Sequence, residues 1–339
     1  MSAQIDIASA GMVTAVGLDA ASSCAAMRAR LEGFVETSFV SSPGEWLVGA
    51  PAPLPRAFIG EKRLAHMAAA SILEATEDYP DARKSAVLIL CLAEGDRPGR
   101  VVQDAPRLAA RIADVAGLEM TAGTYVVAYG RPSGHVAIQQ ARRILAEGRC
   151  PYVIVCGVDS YLTGRTIDHY LATGRLLTSK NPNGFIPGEA AAAVLCARPG
   201  MAKALGVLGL GLAREPASIY NNADLPFRAD GMTSAYQSAF NEAGCQHSNI
   251  VLKIGDLPGE SFWFKQTALA MLRTQRERSA VQPIWAVAAS LGNIGAAVVP
   301  LMLGWALHAG RKGYGPKGPV LVESSGDNGV SGALVARVS

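Results

Sequence analysis

Charge is scarce in this sequence, and so are aromatic rings. Asp, Glu, Lys and Arg make up 17% of its 339 residues and Phe, Trp and Tyr 6%, while half are hydrophobic. The charges nearly balance, at +3 overall, and the basic residues are scattered, so no nucleic-acid footprint follows. Metal-binding patterns are missing as well. The six cysteines (Cys24, Cys91, Cys150, Cys156, Cys196, Cys245) form no CxxC pair and no zinc spacing with the five histidines. Several lie in apolar runs, such as Val87-Leu-Ile-Leu-Cys91 and Val153-Ile-Val-Cys156. They read as reduced core residues of a cytosolic protein, and neither a metal nor a cofactor is expected. A dinucleotide loop is absent too, since Gly206-Val-Leu-Gly-Leu-Gly-Leu212 lacks the third glycine and the following helix and reads as a bulged strand.

Two further absences concern membranes. The opening Met1-Ser-Ala-Gln-Ile-Asp6 has no basic segment ahead of an apolar run, so no signal peptide is expected. From Ser279 to Gly310 there is no Asp, Glu, Lys or Arg, a run long enough to raise the question of a spanning helix. Turn residues in Ala289-Ser-Leu-Gly-Asn-Ile-Gly295 interrupt it. The pattern predicts a buried strand before them, Pro283 to Ala288, and a helix after them, Ala296 to His308. No membrane span is expected.

What is plentiful is small and apolar: 36 glycines with many Ala and Val, the composition of a tightly packed α/β protein with buried strands. A strand with a turn is expected over Ile5 to Val16, and a helix from Asp19 to Leu31, capped by Asp19 and closed by Gly33. A Pro- and Gly-rich loop should cover Ser41 to Pro55, then a helix from Lys62 that ends before Pro80. Beyond it the pattern gives strand Ser85–Leu92, loop Glu94–Gly99, helix Ala105–Ala116, strand Tyr125–Ala128, helix Gly134–Ala146 and strand Tyr152–Gly157. Such alternation implies largely parallel, covered sheets. The order strand, glycine turn, buried helix, Gly, strand runs from Tyr125 to Gly157 and again from Ile284 to Glu323. The repeat predicts two similar halves, residues 1–198 and 199–339, with their helix starts close together.

The first of those starts, Ala128-Tyr-Gly-Arg-Pro-Ser-Gly-His135, is a place where many enzymes set a nucleophile, because backbone N–H groups and the helix dipole favour a developing anion. It is not a G-x-S-x-G elbow. Ser133 and His135, two residues apart, should diverge, with Ser133 a helix cap and His135 a packed or hydrogen-bonded ring.

Several stretches resemble the β-ketoacyl synthases. Ala10-Gly-Met-Val-Thr-Ala-Val-Gly17 is similar to the family's opening, and Cys156-Gly-Val-Asp159 and Leu171-Ala-Thr-Gly-Arg-Leu-Leu-Thr178 follow in the family's order. Asn183-Gly-Phe-Ile-Pro-Gly-Glu-Ala-Ala-Ala-Ala-Val-Leu195 is similar to an Asp-Gly-Phe…Gly-Glu-Gly-Ala motif of that family. Near the C-terminus Ser290-Leu-Gly-Asn-Ile-Gly-Ala-Ala297 and Glu323-Ser-Ser-Gly-Asp-Asn-Gly-Val-Ser-Gly332 take the expected places. The resemblance implies a thiolase-like α/β fold of two duplicated βαβαβαββ halves in five layers, a homodimer built around Tyr125-Val-Val-Ala128, and an acyl carrier protein or another protein as partner.

The same resemblance implies which positions once carried chemistry. The family's nucleophilic Cys falls on Arg131, its first His near Ile254, its Lys on Ala288, its second His on Asn293 and its gating Phe on Asp327, with a shortening between Leu177 and Gly184. A synthase needs a thiolate, an oxyanion hole and two basic side chains, and an arginine cannot attack a thioester. The expectation is a degenerate ketosynthase-like protein without condensing activity, in a binding or assembly role. The chain also resembles short synthase-like proteins associated with type VI secretion gene clusters. The alternative is an acyltransferase of the 3-oxoacyl-acyl carrier protein synthase type, working on acyl thioesters with other residues. Candidate pocket residues are Arg131, Ser133, His135, Glu260, Asn293 and Asp327. Asp256 and Glu260 read as solvated loop charges. Arg131 at a helix start requires an anion, and Asp327 is expected to supply it, ahead of Glu94, Asp96 and Glu260.

Overall fold

A computed structural model describes residues 4–41, 44–119, 122–201, 203–221, 223–277 and 282–338. Residues 1–3 of the N-terminus read above, 42 and 43 of the expected loop, and 279–281 at the start of the uncharged run lie outside them. Strand β1 (Ile5–Val13) turns through Thr14 and Gly17 into α1 (Ala20–Arg28), which Asp19 caps by accepting the Ser22 N–H at 2.7 Å. There follow β2 (Val35–Val40), β3 (Trp46–Gly49), α2 (Gly60–Ala75), α3 (Ala82–Ser85), β4 (Val87–Cys91) and α4 (Ala105–Ala116). Next come β5 (Thr124–Val127), α5 (Ser133–Ala146), β6 (Tyr152–Ser160), α6 (Gly164–Ala172) and β7 (Glu189–Ala197). The remainder is β8 (Leu205–Arg214), α7 (Asp230–Ala243), β9 (Leu252–Gly255), α8 (Ser261–Thr274) and β10 (Ile284–Ala286). It closes with α9 (Ala288–Leu291), α10 (Val298–Arg311), β11 (Val320–Ser325) and β12 (Val330–Val338).

Ten of these strands form one sheet in the order β10-β9-β11-β12-β8-β1-β7-β6-β4-β5. Outward from its centre, the two wings are the same. β1 and β8 each lie antiparallel to the last strand of their wing, β7 and β12, which lie antiparallel to β6 and β11. Beyond these, both wings end in parallel pairs, β6-β4-β5 and β11-β9-β10. The duplication expected from the repeated pattern is therefore present in the topology.

Side-chain alternation then sets the layers. Along β4, Val87, Ile89 and Cys91 face a central cluster with α5 and α10, while Leu88 and Leu90 face α2 and α4. On the other wing Val322 and Leu334 face the centre, and Leu321, Ala333 and Val335 face α7 and α8. Helix, one wing of the sheet, helix pair, the other wing, helix is the five-layer arrangement. The central helices meet at their starts, where a Cβ on Gly134 would lie 2.5 Å from Val299 Cβ. None of the helices among the described residues is long and apolar enough to cross a membrane. The uncharged run is instead the core helix α10 and the edge strand β10.

Several details differ from the sequence reading. The strand expected to be buried over Pro283–Ala288 is only Ile284–Ala286 and lies partly exposed at the sheet edge, while Ala288 already opens α9. Helix α1 stops at Arg28 with Ala29 as its C-cap, short of the expected Leu31 and Gly33. The segment from Ser41 to Pro55 is not all loop: Trp46–Gly49 pairs antiparallel with Val35–Val40 as a hairpin. Its alternation of exposed and buried positions over four residues is too short to stand out among flanking Pro and Gly. The helix placed at Ala296–His308 begins as a 3₁₀ turn over Gly295–Ala297 and continues as α10 to Arg311. Pro300 sits in the first turn of α10, where no intrahelical donor is required of it.

Gly157 in β6 lets that turn approach: an added Cβ would stand 2.2 Å from the Ala296 carbonyl oxygen. Gly157→Ala is expected to cost about 2–3 kcal/mol by overpacking. Gly164→Ala, where nothing lies within 4 Å, should be neutral or better. Urea denaturation of the two variants measures the difference.

Candidate functional site

β5 hands the chain to α5 through a turn that only glycine can make. Gly130 has φ +65° and its N–H donates to the Leu92 carbonyl at 3.0 Å. A Cβ there would fall 1.9 Å from a carboxylate oxygen of Glu94. Ser133 does not cap the helix, as the sequence suggested. Its hydroxyl accepts the Tyr129 N–H at 2.9 Å and donates to the Leu92 carbonyl at 3.3 Å, tying the turn to β4. The N-cap position is Pro132, with no side-chain bond.

His135, fully buried, points the other way. Its Nε2 donates to the Val322 carbonyl at 3.2 Å and its Nδ1 accepts from the Ser324 hydroxyl at 3.0 Å, a tautomer assigned from those partners. Burial holds its pKa down to about 4, so the ring is neutral. Ser133 and His135 thus diverge and share no proton.

Arg131 is 1% exposed and turns inward. Nη1 donates to Asp256 at 3.0 Å and Nη2 to Asp327 at 3.2 Å, and the guanidinium lies 4.0 Å from the centre of the Trp263 ring. The contact with Asp327 expected from the sequence forms, in the tight turn between β11 and β12. A second arginine completes the cluster. Arg175 grips Glu260 with both arms at 2.7 Å and also donates to Asp327, while Tyr220 and Trp263 hydrogen-bond the same carboxylates. Burial pulls the Arg131 guanidinium down, but Asp256 and then Asp327 more than offset it and hold it above the ordinary arginine value.

The cluster holds two guanidiniums and three carboxylates, one negative charge too many. Asp256 carries the consequence: burial pushes its carboxyl up to about 6 against the pull of Arg131. Asp327 goes the other way; burial is overcome by Arg175 and Arg131, and its carboxyl lies below the usual range.

Asp256 and Glu260 are not the solvated loop charges that the sequence suggests: they are 6% and 4% exposed. Of the reserve partners, Glu94 faces Arg97 at 3.9 Å and Asp96 is exposed. Arg175 and Trp263 were missed. The signal for both was a large polar or aromatic side chain inside an otherwise apolar run, Gly174-Arg-Leu-Leu and Ser261-Phe-Trp-Phe.

The remaining positions build walls. Ile254 packs into the central core from β9, and Ala288 opens α9. The Asn293 side chain accepts the Gly295 N–H at 3.1 Å, bracing the turn into α10. A second buried pair, Arg97 with Asp159, does the same from β6, where Asp159 accepts the Ala296 N–H at 3.1 Å. Arg131, Ser133, His135, Glu260 and Asn293 are each at most 4% exposed, and cavities of about 480, 400 and 530 Å³ are lined by other residues. No group of His, Cys, Asp and Glu among the described residues could hold a metal.

His135 and Asp256 pull stability in opposite directions with pH. Between pH 6.5 and 4 the unfolded chain protonates His135's ring and the folded one does not, so stability falls on acidification; between 6 and 4 the folded chain protonates Asp256 first, so stability rises. Each single variant exposes the other group. From pH 7 to 5, His135→Gln should gain stability relative to wild type and Asp256→Asn should lose it, each by about 1–2 kcal/mol, as urea midpoints at the two pH values will show.

Residues 86–199 match the family model "Beta-ketoacyl synthase, N-terminal domain". No curated protein matches the chain in sequence. Among solved structures it superposes on the ishigamide ketosynthase/chain length factor at TM-score 0.79 and 16% identity, covering all of both chains. The ketosynthase of Xenorhabdus doucetiae in complex with its chain length factor gives 0.79 at 14% identity, over 99% of this chain and 98% of that one. A type II polyketide ketosynthase bound to its acyl carrier protein also gives 0.79 at 14% identity, over the full length of both chains. The fold agrees with the resemblance read from the sequence, and the family model matches about a third of the chain.

Proposed function

Given the ketosynthase, thiolase-like fold, we propose that this chain performs no condensation and acts by binding: a degenerate ketosynthase-like protein whose task is assembly with another polypeptide. The observation that carries the reading is the content of the helix start. A thiolate poised there would use the N–H groups and dipole of α5. Arg131 stands in that position with its charge satisfied by Asp256 and Asp327, and no basic side chain is present at Ile254 or Ala288 to support decarboxylation. The two halves, residues 1–198 and 199–339, are kept for the surface they present. The described free cysteines fit a reducing, cytoplasmic setting.

The partner is a protein. Two of the structural neighbours are ketosynthases with chain length factors and a third is a complex with an acyl carrier protein. In this chain β5 is an edge strand with Val126 40% exposed, followed two residues past its end by Tyr129 at 44%, an edge that calls for cover. We assign a homodimer through that edge, with an acyl carrier protein or another protein as further partner. Light scattering at micromolar concentration should give twice the chain mass, and Val126→Lys should give the monomer.

Intact-mass spectrometry after incubation with acetyl- and malonyl-thioesters should show no adduct. Arg131→Cys should show no condensation either, since the base and the cation are still missing. An acyl adduct on Ser133 or on a cysteine of the wild-type chain would favour the acyltransferase alternative instead.

A further inference from the structure

A cavity of about 530 Å³ opens between the end of α1, the edge strand β10 and the far end of α10. It shares no residue with the Arg131 cluster. Its wall is aromatic. Trp285 of β10 lies against Trp305 of α10 with ring centres 4.7 Å apart, and Tyr314 is inclined by 29° to Trp285 at 6.1 Å. Flat π surface of this extent beside an opening suits a flat ligand.

The wall also holds a buried polar pair. Trp305 is 5% exposed; its indole N–H and the Tyr314 hydroxyl are shielded from water and, among the described residues, meet no polar group other than each other, which leaves the Tyr314 O–H without an acceptor. The two lie beside each other, and burial pushes the Tyr314 phenol up to about 12, so it keeps its proton. Buried donors without acceptors are costly. The rim is cationic: the Arg28 guanidinium sits 4.4 Å from the centre of the Tyr314 ring, and Arg30 stands two residues on. Neither arginine has a carboxylate within ion-pair distance among the described residues. One carboxylate, Glu32, shares the lining.

We propose that this cavity binds a planar organic acid. Its ring lies on Trp285, and a carboxylate oxygen accepts from the Tyr314 O–H beside the Trp305 N–H, with Arg28 and Arg30 supplying the countercharge. Tyr314, between Gly313 and Gly315, is the group that turns to admit the oxygen. The cavity has room for a two-ring acid. The assignment stands apart from the reading of the helix start and survives or falls without it.

The indole N–H signals give the test directly. The chain has four tryptophans, so an ¹⁵N-labelled sample shows four indole cross-peaks, assigned with Trp→Phe variants. Titration with 2-naphthoate should move the Trp305 peak downfield and saturably, half-complete below about 1 mM, a modest affinity for a ligand of that size. The peaks of Trp46 and Trp263 should stay put. 2-Naphthalenemethanol, which lacks the anion, and octanoate, which lacks the ring, should each need at least about tenfold more. The double variant Arg28→Gln, Arg30→Gln should weaken 2-naphthoate about fivefold or more with the Trp46 and Trp263 peaks unchanged, which shows that it is folded. A Trp305 peak that does not move by about 5 mM overturns the proposal. So does equal binding of the alcohol or of octanoate, because then either the charge or the ring plays no part.

Discussion

A guanidinium removed from water must find carboxylates, and Arg131 is the point from which much of this structure follows. Its partners cannot be local, because the first turn of α5 offers no acid. They come from the loop after β9 and the turn between β11 and β12, and Asp327 in turn needs Arg175 from the segment after α6. Four stretches of chain, two from each wing of the sheet, are fixed against one another by two positive and three negative groups. Replacing such a cluster with well-packed apolar residues is often neutral for stability, whereas removing one member leaves a buried charge unmatched. Its effect here is to define one arrangement of the loops over the helix start, the arrangement in which the site is filled.

The sheet and its covering helices were legible because they depend on short-range pattern. Short continuous apolar runs such as Val87–Cys91, bounded by turn residues, read as buried strands, and Asp19 or Asp104 ahead of a helical run marks its start by its own hydrogen bond. The repeat was legible for the same reason, since the same local order appears twice. What pattern could not give was strand order. The arrangement of each wing is set by which helices cover which face, a matter of contacts between residues far apart in sequence.

The candidate site divides along the same line. Arg131 announced its need of an anion because a cation at a helix start is unfavourable on local grounds alone. Asp327 could be named only through the resemblance. Asp256 and Glu260 were read as solvated because acids beside Gly and Pro usually are, and nothing near them in sequence signals the arginines they meet. Ser133 was misread as a cap because the N-cap rule describes a hydroxyl that turns toward its own helix, whereas here the Leu92 carbonyl and the Tyr129 N–H of the incoming turn compete for it and win.

The remaining question is whether the polar groups around α5 could do chemistry of another kind. Ser324 and His135 are hydrogen-bonded at 3.0 Å, which on distance alone resembles a hydroxyl with its base. Two properties count against it. Ser324 is 1% exposed and His135 fully buried, so a substrate would have to displace β11 or α5 to reach them. And a general base works best when its pKa lies near the working pH, whereas this imidazole is held at about 4 because burial penalises its cation. Glu323, whose charge favours the protonated ring, is already engaged by Lys253, Tyr236 and Thr267. The ring accepts from Ser324 and donates to Val322, and both bonds hold α5 against β11. A dyad geometry is therefore consistent with a packing role, and it is burial, more than the identity of the residues, that decides between the two.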